Sequence, residues 1–159
     1  MNGMIDCVNT DPAALLAHLE RAIAEGFAAP RGATVAVADD PAHAMDLLAA
    51  GRPGGLAIVL FYLGDAAAGM EELPEDTLVS GQIRAACAQS PGLAARPGRG
   101  APGALAAAGE LRTFVRRIAD APTLSGGYDY AGMQHLAARS GELLHGYALA
   151  FHAHYADRA

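Results

Sequence analysis

Residues 142–155, ELLHGYALAFHAHY, alternate with a period of two almost without error. Leu143, His145, Tyr147, Leu149, Phe151, Ala153 and Tyr155 share one face. Leu144, Gly146, Ala148, Ala150, His152 and His154 share the other. Successive side chains of a strand point to opposite sides of its sheet, so the pattern predicts a half-buried terminal strand. Its aromatic face is suited to packing, and its small, polar face to meeting a partner. A second strand is expected over residues 128–136. The short link AARSG, residues 137–141, suits an antiparallel hairpin between the two.

The rest of the chain supplies elements to cover such a sheet. Asp11-Pro12 opens a helix, because Asp caps and Pro is tolerated at the first helical position. Leu15, Leu16, Leu19, Ala22 and Ile23 form its apolar stripe, and Gly26 is the expected stop. A short strand follows over residues 34–38. Asp40-Pro41 opens a second helix with Met45, Leu47 and Leu48 on its apolar side, ended by Gly51. Residues 56–63, LAIVLFYL, read as a central strand buried on both faces. Residues 77–89 alternate, with Val79, Gly81, Ile83, Ala85 and Cys87 facing one way and Ser80, Gln82, Arg84 and Ala86 the other. A third helix is expected over residues 104–118, with Leu105, Ala108, Leu111, Val115 and Ile118 on its inner side. Two long loops interrupt this order, an acidic one over residues 64–76 and a Gly/Pro/Arg-rich one over residues 90–103. The prediction is one α+β domain over residues 1–159, with helices packed on a mixed, mostly antiparallel sheet.

Composition narrows the chemistry. All 11 basic residues are Arg, which excludes every mechanism that needs a lysine. The net charge of −6 speaks against a general nucleic-acid or anionic-membrane surface. A local basic patch from Arg96, Arg99, Arg112, Arg116 and Arg117 is compatible with that balance. No apolar run approaches the roughly 20 residues that span a bilayer, and the N-terminus lacks a basic region followed by an apolar one. A cytosolic protein is expected. Cys7 and Cys87 lie in no metal-ligand spacing and are expected to be free thiols.

Candidate chemical motifs are few. Asp39-Asp40 after a strand resembles the acidic pocket of a phosphoacceptor receiver domain. The missing lysine and the later element order oppose that reading, and a strand end followed by a helix cap is expected instead. His152 and His154 lie two apart on one strand, so both point the same way and can supply two metal ligands. A third would come from His135 or Asp129, because His145 falls on the opposite face. Ser80, Ser125 and Ser140 each precede glycine but lack a nucleophile elbow. Gly98-Arg99-Gly100 follows a loop rather than a strand, so it is no dinucleotide fingerprint. A small metal-dependent enzyme and a ligand-binding module remain as alternatives, but no catalytic residue or cofactor is expected.

The stretch from Asp76 to Tyr155 resembles tail terminator, or tail completion, proteins of long-tailed bacteriophages and related contractile systems. The resemblance rests on TLVSGQIRAACAQ ahead of a loop, then ELRTFVRRI, YDYAGMQHL and GELLHGYALAFHAHY. It implies an α/β protomer that forms a hexameric ring, caps the head-proximal end of the tail tube and offers the docking surface for the head. The implied partners are further copies of the chain, the tail tube protein and the head-tail connector protein, with no membrane and no specific nucleic acid. The implied location is the virion head-tail junction, after assembly in the host cytoplasm. Opposite charges on the two long loops suit a heterologous, ring-closing contact. The expected interface residues are therefore Asp65, Glu71, Glu72, Glu75 and Asp76, Arg96 and Arg99, and His152 and His154.

Overall fold

The computed structural model describes residues 10–50, 55–67, 77–89, 103–136 and 145–157. Its centre is one five-stranded sheet in the order β1-β2-β3-β5-β4, with β1 Thr34–Val37, β2 Leu56–Ala67, β3 Thr77–Gln89, β4 Asp129–His135 and β5 His145–Asp157. Only β1 and β2 are parallel, joined through the helix α2, Pro41–Ala49. The other pairs are antiparallel. The expected α+β class and mostly antiparallel sheet are thus observed.

The terminal alternation sets the core. Leu149, Phe151, Ala153 and Tyr155 of β5 are buried beside Val79, Ile83, Ala85 and Cys87 of β3. Helix α1, Pro12–Ile23, and helix α3, Ala104–Arg116, cover this face with Leu15, Leu19, Ile23, Ala108, Leu111 and Val115. Asp11 caps α1 by accepting from the Ala14 amide at 2.7 Å. Asp40 caps α2 in the same way through the His43 amide at 2.8 Å. Asp39 and Asp40 are therefore a strand end and a helix cap, as the capping preference of Asp predicts.

The opposite face is covered over part of its width. Helix α2 lays Ala44 and Leu48 on Ala57, Val59 and Phe61 of β2 and on Ala86 and Ala88 of β3. Strand β2 is therefore buried on both sides from Ala57 to Phe61. It is an interior strand, flanked by β1 and β3, while β3, which pairs with β5 along its whole length, takes the middle position.

Three local expectations are corrected. Gly26 does not stop α1. The helix continues through a π segment, Ala24–Ala28, and a last turn, Ala29–Arg31, to Gly32. Burying Phe27 against Phe114, with ring centroids 5.8 Å apart, outweighs the local cost of a mid-helix glycine. Gly32 ends the helix because it adopts φ 64, a conformation that strains any side chain. Leu105 of α3 is 58% exposed rather than inner. The buried stripe is Ala104, Ala107, Ala108, Leu111 and Val115, and Leu105 lies about 100° round from Ala104. Finally, the first four residues of the expected acidic loop are strand. Gly64, Asp65, Ala66 and Ala67 pair with Gln82, Gly81, Ser80 and Val79 after a bulge at Leu63. The ladder offered by the long β3 overrides their loop propensity. Residues 68–76 and 90–102, the link 137–141, Gly51 and Cys7 lie outside the described residues.

Burial also fixes the ionisation of three core groups. Cys87 is a free, buried thiol, and desolvation pushes it from an ordinary 9.0 up to about 12. Tyr128 is raised mainly by burial and further by Asp120. Tyr62 is raised by burial and then by its hydrogen bonds to Tyr155 and Asp65. All three folded-state values lie above the unfolded ones. Their contribution to stability is therefore complete below pH 9.0 and is lost as the thiol and then the phenols, ordinarily 10.0, ionise in the unfolded chain. Melting temperature should fall steeply with pH above that point, and phenolate absorbance from Tyr128 should appear only with unfolding. A flat melting temperature through the alkaline range would refute the burial assigned to these groups.

Candidate functional site

The part of the second sheet face that none of the described helices covers is the surface that the alternation of β5 predicts for a partner. Gln82 and Arg84 of β3, Ala148, Ala150, His152 and His154 of β5, and Asp129, Gly132 and Gln134 of β4 build it in cross-strand rows. Gln82 stands opposite His152, and His152 opposite Asp129. Arg84 stands opposite Ala150, and Ala150 opposite Gly132. The members on β3 and β5 are half-buried. A bulge between Tyr130 and Gly132 bends β4, a short strand with one free edge among the described residues.

The two expected histidines lie here side by side. Their rings are edge to face with centroids 6.2 Å apart. His154 Nε2 lies 3.4 Å from Asp129 Oδ2, so the carboxylate weighed as a third metal ligand is an ion-pair partner of one histidine when that ring is protonated. His135 is not nearby in register: it packs its ring edge-on against Tyr147, with centroids 5.3 Å apart, on the core side of β5. Among the described residues no three His, Cys, Asp or Glu side chains form a group able to hold a metal ion.

Of the other expected interface residues, Asp65 lies on the opposite sheet face from the two histidines. It pairs with Gly81, whose neighbours along β3, Val79 and Ile83, point into the core, so Asp65 projects from the side opposite His152 and His154. There its Oδ2 accepts from Tyr62 Oη at 2.9 Å, and Tyr62 Oη lies 3.0 Å from Tyr155 Oη. Glu71, Glu72, Glu75, Asp76, Arg96 and Arg99 fall outside the described residues. Arg116 and Arg117 are exposed at the end of α3, and Arg112 lies over the Tyr130 ring at 5.5 Å.

Two features escape sequence reasoning. The first is a polar chain under α1. His18 Nδ1 lies 2.9 Å from Tyr128 Oη, and His18 Nε2 lies 3.5 Å from Asp120 Oδ1. This order looks like a proton relay, but Tyr128 Oη is buried and donates to the Leu15 carbonyl at 3.1 Å. The chain therefore pins α1 to the start of β4 and presents no nucleophile. Residues 110 apart in sequence carry no local pattern that could signal it.

The second feature is Arg84. Its Nη1 is buried and has no hydrogen-bond partner. It faces a cleft of about 380 Å³ whose lining includes Ala148, Ala150, Gly132, Gln134 and His152. The alternation of β3 places Arg84 on this face, but a charged residue there reads as an ordinary solvated side chain. Only the register, which flanks it with Phe61 and Ala150, shows that it is partly desolvated.

No helix among the described residues is long and apolar enough to cross a membrane. No protein-family model matches the chain, and no curated protein matches it at a significant level.

Proposed function

We propose that this chain is a structural assembly subunit that forms a closed homo-oligomeric ring. The specific form of the proposal is the one implied by the resemblance to tail terminators. The ring, a hexamer, would cap the head-proximal end of a phage tail tube and join it to the connector at the virion head-tail junction. The observation that carries the reading is the half-covered sheet. Among the described residues, two helices cover one face, while one short helix leaves Arg84, His152, His154 and a floor of small residues uncovered on the other. Small residues allow another surface to approach the sheet closely, and mixed polar groups at the rim set orientation. The edges of β1 and β4, unpaired among the described residues, add two more surfaces for contact.

The metal-enzyme reading has less support among the described residues, where no three His, Cys, Asp or Glu side chains form a group able to hold a metal ion. Analytical ultracentrifugation of the full chain, alone and with purified tail tubes, tests the ring. The expected result is a discrete closed oligomer, formed in solution or on the tube end. A chain that stays monomeric and shows no affinity for tubes overturns the reading.

A further inference from the structure

Arg84 is the group that the fold itself leaves unexplained. Its guanidinium is a cation that carries five N–H donors in a planar fork. Buried donors are nearly always satisfied, and a charged one left unpaired is costly. Here Nη1 is buried without an acceptor. In the adjacent register positions stand Phe61 on β2 and Ala150 on β5, neither with an acceptor side chain. Asp129, the carboxylate on this sheet face, stands in the neighbouring row opposite His152, two strands from Arg84 and 3.4 Å from His154. Next to Ala150, β4 contributes Gly132, so open space rather than a side chain lies beyond Arg84 in that row. A positive fork beside a cleft with a small-residue floor fits one chemical class best, a carboxylate that accepts two parallel hydrogen bonds. His152 and Gln134 line the same cleft and can donate to the same group.

We propose that this cleft is a carboxylate-binding site whose occupant is an Asp or Glu side chain from a second copy of the chain. The choice of occupant rests on the self-assembly reading above and on charge complementarity. The chain has 17 acidic against 11 basic residues, and Asp65, Glu71, Glu72, Glu75 and Asp76 concentrate acid in one stretch of sequence. A contact between unlike patches, acid on one subunit and Arg84 on the next, is heterologous and propagates round a ring. Truncating one partner of a desolvated charge pair raises dissociation sharply, whereas rim charges change it little.

The test uses the full chain and a fluorescent peptide with the sequence of residues 64–76, followed by anisotropy. The wild type should bind the peptide, and added salt should weaken binding. Arg84→Gln should weaken it at least about thirtyfold. Arg84→Lys, which keeps the charge and loses the fork, should fall between them. The melting temperature of Arg84→Gln should stay level or rise, since an unpaired buried donor has been removed. Equal peptide binding by wild type and Arg84→Gln, no binding by the wild type, or an Arg84→Gln chain that does not fold would each overturn the proposal. Acetate that binds as tightly as the peptide would overturn the choice of a second copy as occupant. A ring that assembles unchanged with Arg84→Gln removes the site and keeps the ring. A wild type that binds the peptide yet never self-associates keeps the carboxylate site and removes the ring.

Discussion

Phe151→Asp should abolish cooperative folding, while His152→Asp should leave a folded chain. The two residues are neighbours on β5 and differ only in the face they occupy. Phe151 is fully buried between β3 and β4, opposite Ile83 and Tyr130, with its ring 5.7 Å from that of Tyr130. Replacing it removes a fully buried aromatic side chain, a loss of about 2–3 kcal/mol of apolar burial. It also places a carboxylate among Leu149, Ile83 and Leu111 without a partner, which adds several kcal/mol or forces the group to bind a proton. The sum of about 5 kcal/mol or more rivals the whole stability of an ordinary domain. His152 is half-buried on the open face beside Arg84. A carboxylate there meets Asp129 across the strand, which is unfavourable, and the Arg84 fork diagonally, which is favourable. The net change should stay within about 1 kcal/mol. Urea unfolding followed by circular dichroism separates the outcomes. Equal losses at the two positions would show that β5 does not divide the molecule into a core side and an open side.

That division is legible in the residues alone, because a period of two reports faces directly and survives errors in strand ends. Residues 78–85 and 148–155 alternate in the sequence and alternate in burial, whereas residues 85–88 are buried on both faces because α2 covers their second side. The helix starts at Asp11 and Asp40 are legible for a similar reason. A cap is a contact within a few residues, so its chemistry is written locally. What fails is whatever depends on a distant partner. Gly26 signals a stop by itself, yet Phe27 and Phe114 meet across the fold and carry the helix on to Gly32. Gly64-Asp65 signals a loop, yet the length of β3 recruits both residues into the ladder and turns Asp65 away from the histidines. The candidate site shows the same limit. The spacing of His152 and His154 suffices to place them side by side. The orphaned donor of Arg84 depends on what stands on two other strands, and no window of sequence contains that.

Gly146→Ala should cost about 3 kcal/mol, an unusual penalty for the addition of one methyl group, and the reason lies in the pairing of β3 with β5. Gly146 is in register with Ala88. A Cβ built on Gly146 would stand 2.7 Å from the Cys87 carbonyl oxygen, 2.7 Å from Ala88 Cβ and 2.9 Å from Ala88 Cα. Two of these are backbone atoms, and neither can swing aside as the tip of a long side chain would. Relief requires the two strands to separate at this point, although β3 and β5 hold their 13-residue register without a break. The Gly146 carbonyl also accepts from the Leu136 amide at 2.9 Å, so a displaced β5 strains the end of β4 as well. On the other side of Ala88, Leu48 and Ala44 of α2 close the second core and leave β3 no room to retreat. Overpacking of this kind ordinarily costs about 1–3 kcal/mol, and the rigid neighbours put this case at the upper end. Ala148→Gly serves as the control, since it removes a methyl group from the same face and should cost only about 1 kcal/mol through backbone entropy. Removing the methyl group of Ala88 in the Gly146→Ala background should restore part of the loss, because it clears one of the three contacts and leaves the carbonyl in place. A Gly146→Ala chain within about 0.5 kcal/mol of wild type in urea unfolding would mean that the strands do not approach this closely, and the register of the whole central pair would then need revision.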